Sequence, residues 1–355
     1  MDIKSLLQRI ESQYQSKLPF VLFSLPNEKL ITTYFQKNQE LYPNDLLEKG
    51  VRFAPFNSKE SILCMSTANS EVIETKFTGI ASEFIEISIQ EDEKECLRYK
   101  ELVGKAIESI EDRLASKIVI SRRKKLALKE VNLTQIITRL LNFFPDAFNY
   151  VWYHPKTGIW VGATPELLLN TNGIAFTTMA LAGTQKVKGN LKPEWTTKEI
   201  NEQQYVTDAI TLSLEKLVSV LKISKTYTHK AGSIVHLRTD ISGALKNGKA
   251  TLDTLASSLH PTPAVCGTPR LYSKAFIENN ENYDREFYTG YIGPVDKEMR
   301  RSQLYVNLRC MKIEENMANL FVGGGITSTS NPDHEWEETQ NKLQTMLQVL
   351  KPFLN

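Results

Sequence analysis

The chain has 355 residues, of which 41% are hydrophobic and 24% charged, and its formal net charge is +2 at pH 7. This is the composition of a globular protein with a sizeable core, and the near-neutral charge argues against a nucleic-acid partner or an anionic membrane surface. No apolar run approaches the length of a membrane span, and the amphipathic N-terminus lacks the pattern of a signal peptide. The four cysteines show no metal-binding or redox spacing, so we expect reduced thiols in a cytoplasmic protein.

Helical periodicity, with apolar residues three or four positions apart, is clearest in four stretches of the chain. These stretches are residues 93–116, 131–142, 194–221 and 332–350. The last one has a clear start signal, because Asn331 can cap the helix and Pro332 suits the first helical position, where its missing N–H costs nothing. We therefore predict helices in these four ranges.

Runs of alternating apolar and polar residues lie between these stretches and indicate β-strands. They are residues 117–121, 150–153, 173–181, 233–240, 288–294, 303–313 and 319–322. Strands and helices do not alternate strictly, which argues against a doubly wound parallel sheet. The pattern instead predicts an α+β protein with large, mainly antiparallel β-sheets and helices packed outside them.

Two pairs of carboxylates have helical spacing. Glu199 and Glu202 are three positions apart in one predicted helix, and Glu335 and Glu338 are three apart in another, so each pair lies on one helix face. If the two faces meet, the four like charges repel one another, and a hard divalent cation such as magnesium relieves the repulsion. The alternative is that both pairs lie on solvated helix faces, with Glu338 paired to Lys342 at i,i+4.

Two further features indicate binding of an anion. In the motif FVGGGI, the consecutive residues Gly323, Gly324 and Gly325 allow backbone N–H groups to approach an anion closely, or else form a tight turn. Arg309 is predicted in the middle of a strand, on its less apolar face, where a guanidinium needs a partner. That partner is either the carboxylate of a ligand or a structural ion pair.

Three further side chains are candidates for acid–base chemistry or for a binding loop. Lys117 begins the strand KIVIS and is a general base if the apolar sheet disfavours its ammonium, or lies just outside the strand with its head in water. Glu166, in ATPELLL, is a general acid if it is partly buried and protonated, and otherwise caps a turn. His260 lies in the proline-rich loop LHPTPAVCGTPR, as binding loops often do, although a lone histidine is more often structural. The same structural interpretation applies to the other histidines, which are His154, His229, His236 and His334.

Eight motifs follow one another from Lys117 to the C-terminal region. They are KIVISR, ATPELLL, LAGT, KEINEQ, LHPTPAVCG, REFYTGYIG, LYVNLRC and VGGGITSTSNPDHEWEETQNKL. In this order they resemble the chorismate-binding enzyme family, which contains isochorismate synthases, salicylate synthases, anthranilate synthase and aminodeoxychorismate synthase. The resemblance covers about two thirds of the chain.

The resemblance implies a fold and a division of the chain. The family fold is one domain with a core of two large antiparallel sheets, like that of anthranilate synthase component I, so residues 1–355 are expected to form a single chorismate-utilising domain. Within it, residues 1–92 match the family weakly and are expected to form a supporting N-terminal layer. Residues 93–355 are expected to form the catalytic core.

The resemblance also implies which residues bind ligands. The glutamates at 199, 202, 335 and 338 match the family's magnesium site, with Glu202 and Glu338 as the expected direct ligands, and the metal binds the ring carboxylate of chorismate. Arg309 and Tyr288 match residues that hold the enolpyruvyl carboxylate. The other residues that match substrate-binding positions are Gly323, Gly324, Gly325, Lys342, Thr184 and His260.

Two residues match the positions that decide the chemistry. Family members that add water have a lysine at the position of Lys117, whereas those that add ammonia generally do not. This lysine takes a proton from the water that attacks C2 of the ring, and the residue matched by Glu166 protonates the departing C4 hydroxyl. Ala182 in LAGT implies the same reaction, since aminodeoxychorismate synthases typically place a nucleophilic lysine there.

The resemblance therefore predicts a magnesium-dependent isochorismate synthase that acts on chorismate, without a nucleic-acid partner, a membrane or a glutaminase subunit. Such an enzyme supplies menaquinone or siderophore biosynthesis. The nearest alternative is a salicylate synthase, which goes on to eliminate pyruvate from isochorismate in the same pocket. Enzymes that add ammonia are a further alternative. A non-catalytic chorismate-binding protein is disfavoured, because the acid, base and metal positions are intact.

Overall fold

The computed structural model describes residues 1–44, 48–80, 82–186, 193–231, 234–246, 251–297 and 300–354. The helices are α1 (Ile3–Gln15), α2 (Glu93–Glu111), α3 (Leu133–Phe143), α4 (Thr197–Leu214), α5 (Leu252–Leu259), α6 (Arg270–Asn280) and α7 (Pro332–Leu350), followed by a 3₁₀-helix at Lys351–Phe353. The strands are β1 (Phe20–Ser24), β2 (Leu30–Gln36), β3 (Tyr42–Pro43), β4 (Lys49–Ala54), β5 (Leu63–Ser66), β6 (Ser70–Lys76), β7 (Lys117–Ala127), β8 (Phe148–His154), β9 (Gly158–Thr164), β10 (Leu167–Asn172), β11 (Ala175–Lys186), β12 (Val218–Ile223), β13 (Tyr227–Ala231), β14 (Ile234–Leu245), β15 (Gly267–Thr268), β16 (Tyr291–Asp296), β17 (Arg301–Val306), β18 (Cys310–Glu314) and β19 (Met317–Ile326).

The strands form two antiparallel sheets. Sheet 1 has the order β15-β7-β19-β18-β9-β8-β1-β2-β6, and sheet 2 has the order β12-β14-β11-β10-β17-β16-β4-β5-β3, with β13 also paired to β14. The prediction of an α+β protein with two large antiparallel sheets is confirmed.

The two sheets pack face to face through a core rich in aromatic rings. Phe148, Tyr150 and Trp152 of β8 point into this core. Val151 and Tyr153 of the same strand point to the opposite face of sheet 1, as the alternation of side chains along a strand requires. Both faces of the central strands are therefore buried, which leaves the ends of the sheets as the places where a cavity can open.

Helices cover the outer faces of the sheets. The helices α1, α3 and α7 pack against sheet 1, and α4 and α5 pack against sheet 2. α2 packs against α7 and against β7 near the edge of sheet 1. As a result α4, on β11, and α7, on β19, approach one another where the two sheets meet.

The helix predictions hold for 93–116, 131–142 and 332–350. The last helix has the predicted bounds, the second is shifted by one or two residues at each end, and the first ends five residues early, at Glu111. The side chain of Asn331 caps α7 by accepting hydrogen bonds from the N–H groups of Asp333 and His334, as its position before Pro332 predicts. The prediction of one helix over 194–221 is wrong at its C-terminal end, because β12 begins at Val218 and pairs with β14 there. Among the described residues, no helix is long and apolar enough to cross a bilayer.

The prediction of one strand over 303–313 is also wrong. β17 ends at Val306 in sheet 2, and β18 begins at Cys310 in sheet 1, so the chain crosses between the sheets at residues 307–309. The buried Asn307 side chain holds this crossover by donating to the carbonyl of Phe287 and accepting from the Tyr150 hydroxyl at 2.6 Å. Arg309 has a φ of 46°, in the left-handed region, and is therefore at a bend and not in mid-strand.

The N-terminal segment is part of both sheets. β1, β2 and β6 extend sheet 1 beyond β8, and β3, β4 and β5 extend sheet 2 beyond β16. Residues 1–92 thus supply the far ends of the sheets, away from the strands that approach α4 and α7.

Candidate active site

A cavity opens where α4, α7, β19 and the crossover after β17 meet. Its walls include Pro165, Ala182 and His236. They also include most of the residues predicted to bind substrate or metal, which are Glu166, Thr184, Glu202, Tyr288, Arg309, Gly323, Gly324, Gly325, Glu338 and Lys342. Four predicted residues, Lys117, Glu199, Glu335 and His260, do not line this cavity.

The three consecutive glycines lie in a β-strand, so the alternative of a tight turn is wrong. Gly323, Gly324 and Gly325 belong to β19 and pair with β7 throughout. What requires glycine here is space. A Cβ atom on Gly325 would lie 2.3 Å from Glu202 Oε1 and 2.7 Å from Lys117 Cε, and one on Gly324 would lie 3.0 Å from Glu335 Oε2.

Two of the glycine amides point toward the cavity side. The N–H groups of Val119 and Ser121 donate away from β19, to Cys266 and Glu281, so their register partners Gly325 and Gly323 also point their N–H groups away from β7. On that side β18 has ended, because its last pairing with β19 is at Cys310. The arrangement is compatible with the prediction that these amides contact an anionic ligand.

Lys117 is buried beneath the cavity wall. The lysine is fully buried, and its ammonium lies 2.9 Å from Glu202 Oε1. In this ion pair the side chain of Lys117 is 1% exposed and that of Glu202 is 12% exposed. The alternative of a lysine with its head in water is therefore wrong. The lysine reaches this position because it begins β7 next to β15, with its carbonyl accepting a hydrogen bond from Ser273.

Two more carboxylates, the buried Glu335 and the partly buried Glu338, have a lysine each. Glu335 Oε1 accepts from Lys198 at 2.5 Å, and Glu338 Oε1 lies 2.6 Å from Lys342, which also donates to the carbonyl of Gly323. Burial and the neighbouring Glu338 raise the pKa of Glu335. Burial opposes ionisation of Glu338, but Lys342 and Lys198 lower its pKa below the ordinary value. The predicted i,i+4 pair is thus present, but inside the protein and not on a solvated face.

Glu199 has a different position from the other three glutamates. Its Oε2 atom accepts from the N–H of Thr196 at 2.9 Å and from the Thr196 hydroxyl, so it closes a capping box at the start of α4. Its Cβ lies 2.9 Å from where a Cβ on Gly183 would be, which fits the positive φ of 71° at that glycine. Glu199 lines an outer opening that Glu338 and Lys198 also line.

Glu166 is a buried carboxyl group facing the cavity. It is 4% exposed, and the carbonyl of the same residue accepts a hydrogen bond from Val306 at the start of the crossover. Burial raises its pKa to about 7, although Lys117, Arg309 and Lys342 act in the opposite direction. A carboxyl group with this pKa holds its proton in a large fraction of molecules at neutral pH and can donate it. Because the carboxyl group of Glu166 faces the cavity, the alternative in which it caps a turn is wrong.

Arg309 and His236 form a contact that the sequence did not reveal. His236 Nδ1 lies 2.9 Å from the carbonyl of Gly183, which can only accept, so Nδ1 carries the proton and Nε2 accepts from Arg309 at 3.4 Å. Burial and the adjacent Arg309 lower the pKa of His236 to about 3, so the ring is neutral. Burial lowers the pKa of Arg309 to about 10. We predicted a structural role for this histidine, because no local pattern distinguishes it; only its pairing with Thr184 across β11 and β14 places it at the cavity.

Tyr288 and His260 differ in their relation to the cavity. Tyr288 is 2% exposed, lines the cavity and places its hydroxyl 3.1 Å from where a Cβ on Gly323 would be. His260 is buried elsewhere, with Nε2 3.0 Å from the carbonyl of Pro55 and its ring edge-on to Tyr291. Burial lowers the pKa of His260 to about 4. This environment is that of a structural histidine that anchors the loop after α5.

The profile of the chorismate-binding enzyme family matches residues 11–351. The chain belongs to this family. The isochorismate synthase DhbC of Bacillus subtilis is 31% identical over 269 residues, a match that covers 71% of this chain and 67% of that protein. The chain thus spans about two thirds of the length of the curated relatives that it matches.

Solved structures share the fold. The menaquinone-specific isochorismate synthase MenF of Escherichia coli has a TM-score of 0.76 and 19% identity, covering 94% of this chain and 88% of that one. Anthranilate synthase component I of Streptococcus pneumoniae has a TM-score of 0.64 and 15% identity, with 92% of each chain covered. At these identities the comparison establishes the two-sheet fold of the family, as the motifs predicted.

The carboxylates at this family member's cavity are suitable donors for a hard cation. Glu335 Oε2 is buried and accepts no hydrogen bond from the described residues, so one oxygen is available to a ligand. Glu202 and Glu338 line the cavity. Among the described residues, however, no three acidic, histidine or cysteine side chains are already gathered as a metal cluster. Each of the three glutamates is instead neutralised by its own lysine.

The space at Gly325 provides a test of the geometry. In Gly325→Ala the added methyl group displaces the Lys117–Glu202 ion pair, so we expect a loss of about 1–3 kcal/mol in the free energy of unfolding and a loss of chorismate binding. Urea unfolding and fluorescence titration measure the two effects. The matched control is Gly104→Ala in α2, where nothing lies within 4 Å and alanine should stabilise the helix by about 0.5–1 kcal/mol. Unchanged stability and binding in Gly325→Ala contradict the proposed packing.

Proposed function

We propose that this chain is a magnesium-dependent isochorismate synthase, which converts chorismate to isochorismate by adding water at C2 with loss of the C4 hydroxyl. The observation that carries the proposal is a pair of buried groups, a protonatable glutamate before β10 that lines the cavity and a lysine at the start of β7 that lies beneath the cavity wall. The names of the relatives, isochorismate synthases, support it.

The two buried groups have complementary roles in this reaction. Lys117 must first release the proton that its ammonium holds beside Glu202, and as an amine it then accepts a proton from the water whose oxygen forms the new bond to C2. Both ring double bonds shift by one position, the C4–O bond breaks, and Glu166 supplies the proton with which that oxygen leaves as water. One water is consumed and one released, so the net reaction is an isomerisation.

The other cavity residues bind the two carboxylates of the substrate. Arg309, held by the neutral ring of His236, offers its guanidinium to the enolpyruvyl carboxylate, and Tyr288 contacts the same group. Glu202 and Glu338 would hold the magnesium ion directly, with Glu335 next to them. When bound, magnesium supplies the positive charge that pairs with the ring carboxylate.

Water is favoured over ammonia as the nucleophile. Ala182 lines the cavity and offers no amine, and the buried Lys117 would serve as the base. A glutaminase subunit is therefore not expected. The second candidate is a salicylate synthase, since the same groups would hold isochorismate during loss of pyruvate.

We also propose that the protein acts in the cytoplasm, where its four cysteines, which form no disulfide, stay reduced.

The products formed from chorismate test the proposal. Purified protein with chorismate and magnesium should form isochorismate, detected by chromatography, and Lys117→Met should lower kcat by at least about 100-fold because the base is lost. The matched control is Lys125→Met, which removes an exposed lysine of the same strand and should leave kcat unchanged. Salicylate and pyruvate formed without a second enzyme favour the second candidate. Full activity in Lys117→Met removes Lys117 from the mechanism.

The pH dependence tests the role of Glu166. Its pKa is raised from 4.5 to about 7, so the proton it must donate is present below pH 7 and is lost above. We expect kcat/KM to fall by about tenfold per pH unit on this alkaline limb. In Glu166→Gln, activity should be low at every pH and the limb should disappear. If Glu166→Gln shows the same fall of kcat/KM with rising pH, another group is responsible for the titration.

A further inference from the structure

The three carboxylates at the proposed metal site are matched one to one by lysines. Glu202 pairs with Lys117, Glu338 pairs with Lys342, and the third pair is Glu335 with Lys198. Three negative charges therefore face three positive ones, which leaves no net charge to attract a divalent cation. A metal that binds here has to replace at least one ammonium.

Two of the three lysines are already engaged at the substrate side. Lys117 is locked beneath Gly325 with a side chain that is 1% exposed, and Lys342 also binds the carbonyl of Gly323. Lys198 differs from both. It does not line the substrate cavity, and its ammonium donates a hydrogen bond to Glu335.

Lys198 lies at the boundary between the carboxylates and solvent. It is in the first turn of α4, its side chain is 23% exposed, and it lines two outer openings of the protein. Glu335, Glu338 and Glu202 all act electrostatically on its ammonium. The ammonium therefore sits in the field of the same three carboxylates that the metal needs, with an open path to water.

Glu335 is the carboxylate that most needs a neighbouring cation. It is 1% exposed, its Oε1 atom is held by Lys198 at 2.5 Å, and its Oε2 atom accepts no hydrogen bond from the described residues. An ionised carboxylate in this environment is costly without a cation beside it. Either Lys198 or a metal ion meets that requirement.

From this arrangement we propose that Lys198 is a built-in counter-ion, which neutralises Glu335 in the metal-free protein and is displaced into solvent when the divalent cation binds. The proposal rests on the magnesium site of the proposed function. Its consequence is that Lys198 weakens metal binding, so that the free protein does not hold the cation tightly. The lysine also keeps the carboxylates from repelling one another while the site is vacant.

Metal affinity without substrate tests the proposal. In Lys198→Gln the amide can still donate to Glu335 but carries no charge. We expect this variant to bind Mn²⁺ at least about tenfold more tightly than the wild-type protein, a difference of about 1.4 kcal/mol in binding free energy. Electron paramagnetic resonance counts free Mn²⁺, and calorimetry gives the Mg²⁺ affinity. Lys198→Arg keeps the charge and should bind no more tightly.

The chain offers a matched control at the same end of α7. Lys100 pairs with Asp333 at 2.5 Å in the first turn of α7, but its partner is exposed and is not among the three carboxylates. Lys100→Gln removes one positive charge from this region, and the Mn²⁺ affinity should change by less than about twofold. A similar gain in both glutamine variants means that general charge, and not Lys198, sets the affinity.

The outcomes separate this proposal from the proposed function. If the unchanged protein and Lys198→Gln bind Mn²⁺ equally well, the metal site stands and the counter-ion proposal is overturned. If neither binds Mn²⁺ or Mg²⁺, the metal site is wrong and this inference with it. Should Lys198→Gln not fold, a crystal structure of the unchanged protein with Mn²⁺ decides the question, because a Lys198 ammonium still bonded to Glu335 beside the metal also overturns the proposal.

Discussion

The buried ion pairs between glutamates and lysines determine how the rest of the site is built. The ammonium of Lys117 can approach Glu202 only because Gly325 has no side chain between them, and Gly325 lies there because β19 runs beside β7. Helix α4 brings Glu202 to this point, and α7 brings Glu335 and Glu338. The two helices, which lie on different sheets, are thus tied together by charges that are costly to bury singly and tolerable in pairs.

The same pairing connects the fold to the chemistry. A lysine that is excluded from water and a glutamate whose proton is retained near neutral pH are both products of burial at the junction of the sheets. The crossover at residues 307–309 has a parallel function, since it turns Arg309 toward the cavity at a positive φ and seats it against His236. Strain and burial are therefore concentrated at the groups around the cavity.

Much of this could be predicted from local sequence. The start of α7 follows from Asn331 and Pro332, and the i,i+4 pair of Glu338 with Lys342 follows from helix geometry. Other features depend on residues far apart in the chain. Nothing local indicates that Lys198 meets Glu335 or that His236 faces Arg309. Three glycines suit a turn as well as a strand, and only their pairing with β7 decides between them. The strands of residues 1–92 are likewise defined by their long-range partners.

The proposed function requires that this site adds water to chorismate. The most direct test is to run the reaction in water enriched in ¹⁸O and to locate the label in the product by mass spectrometry. We expect isochorismate with one ¹⁸O atom, in the new C2 hydroxyl, because the attacking oxygen comes from solvent and the C4 hydroxyl departs. Unlabelled isochorismate would show that the hydroxyl migrates within the substrate, and would contradict the roles assigned to Lys117 and Glu166.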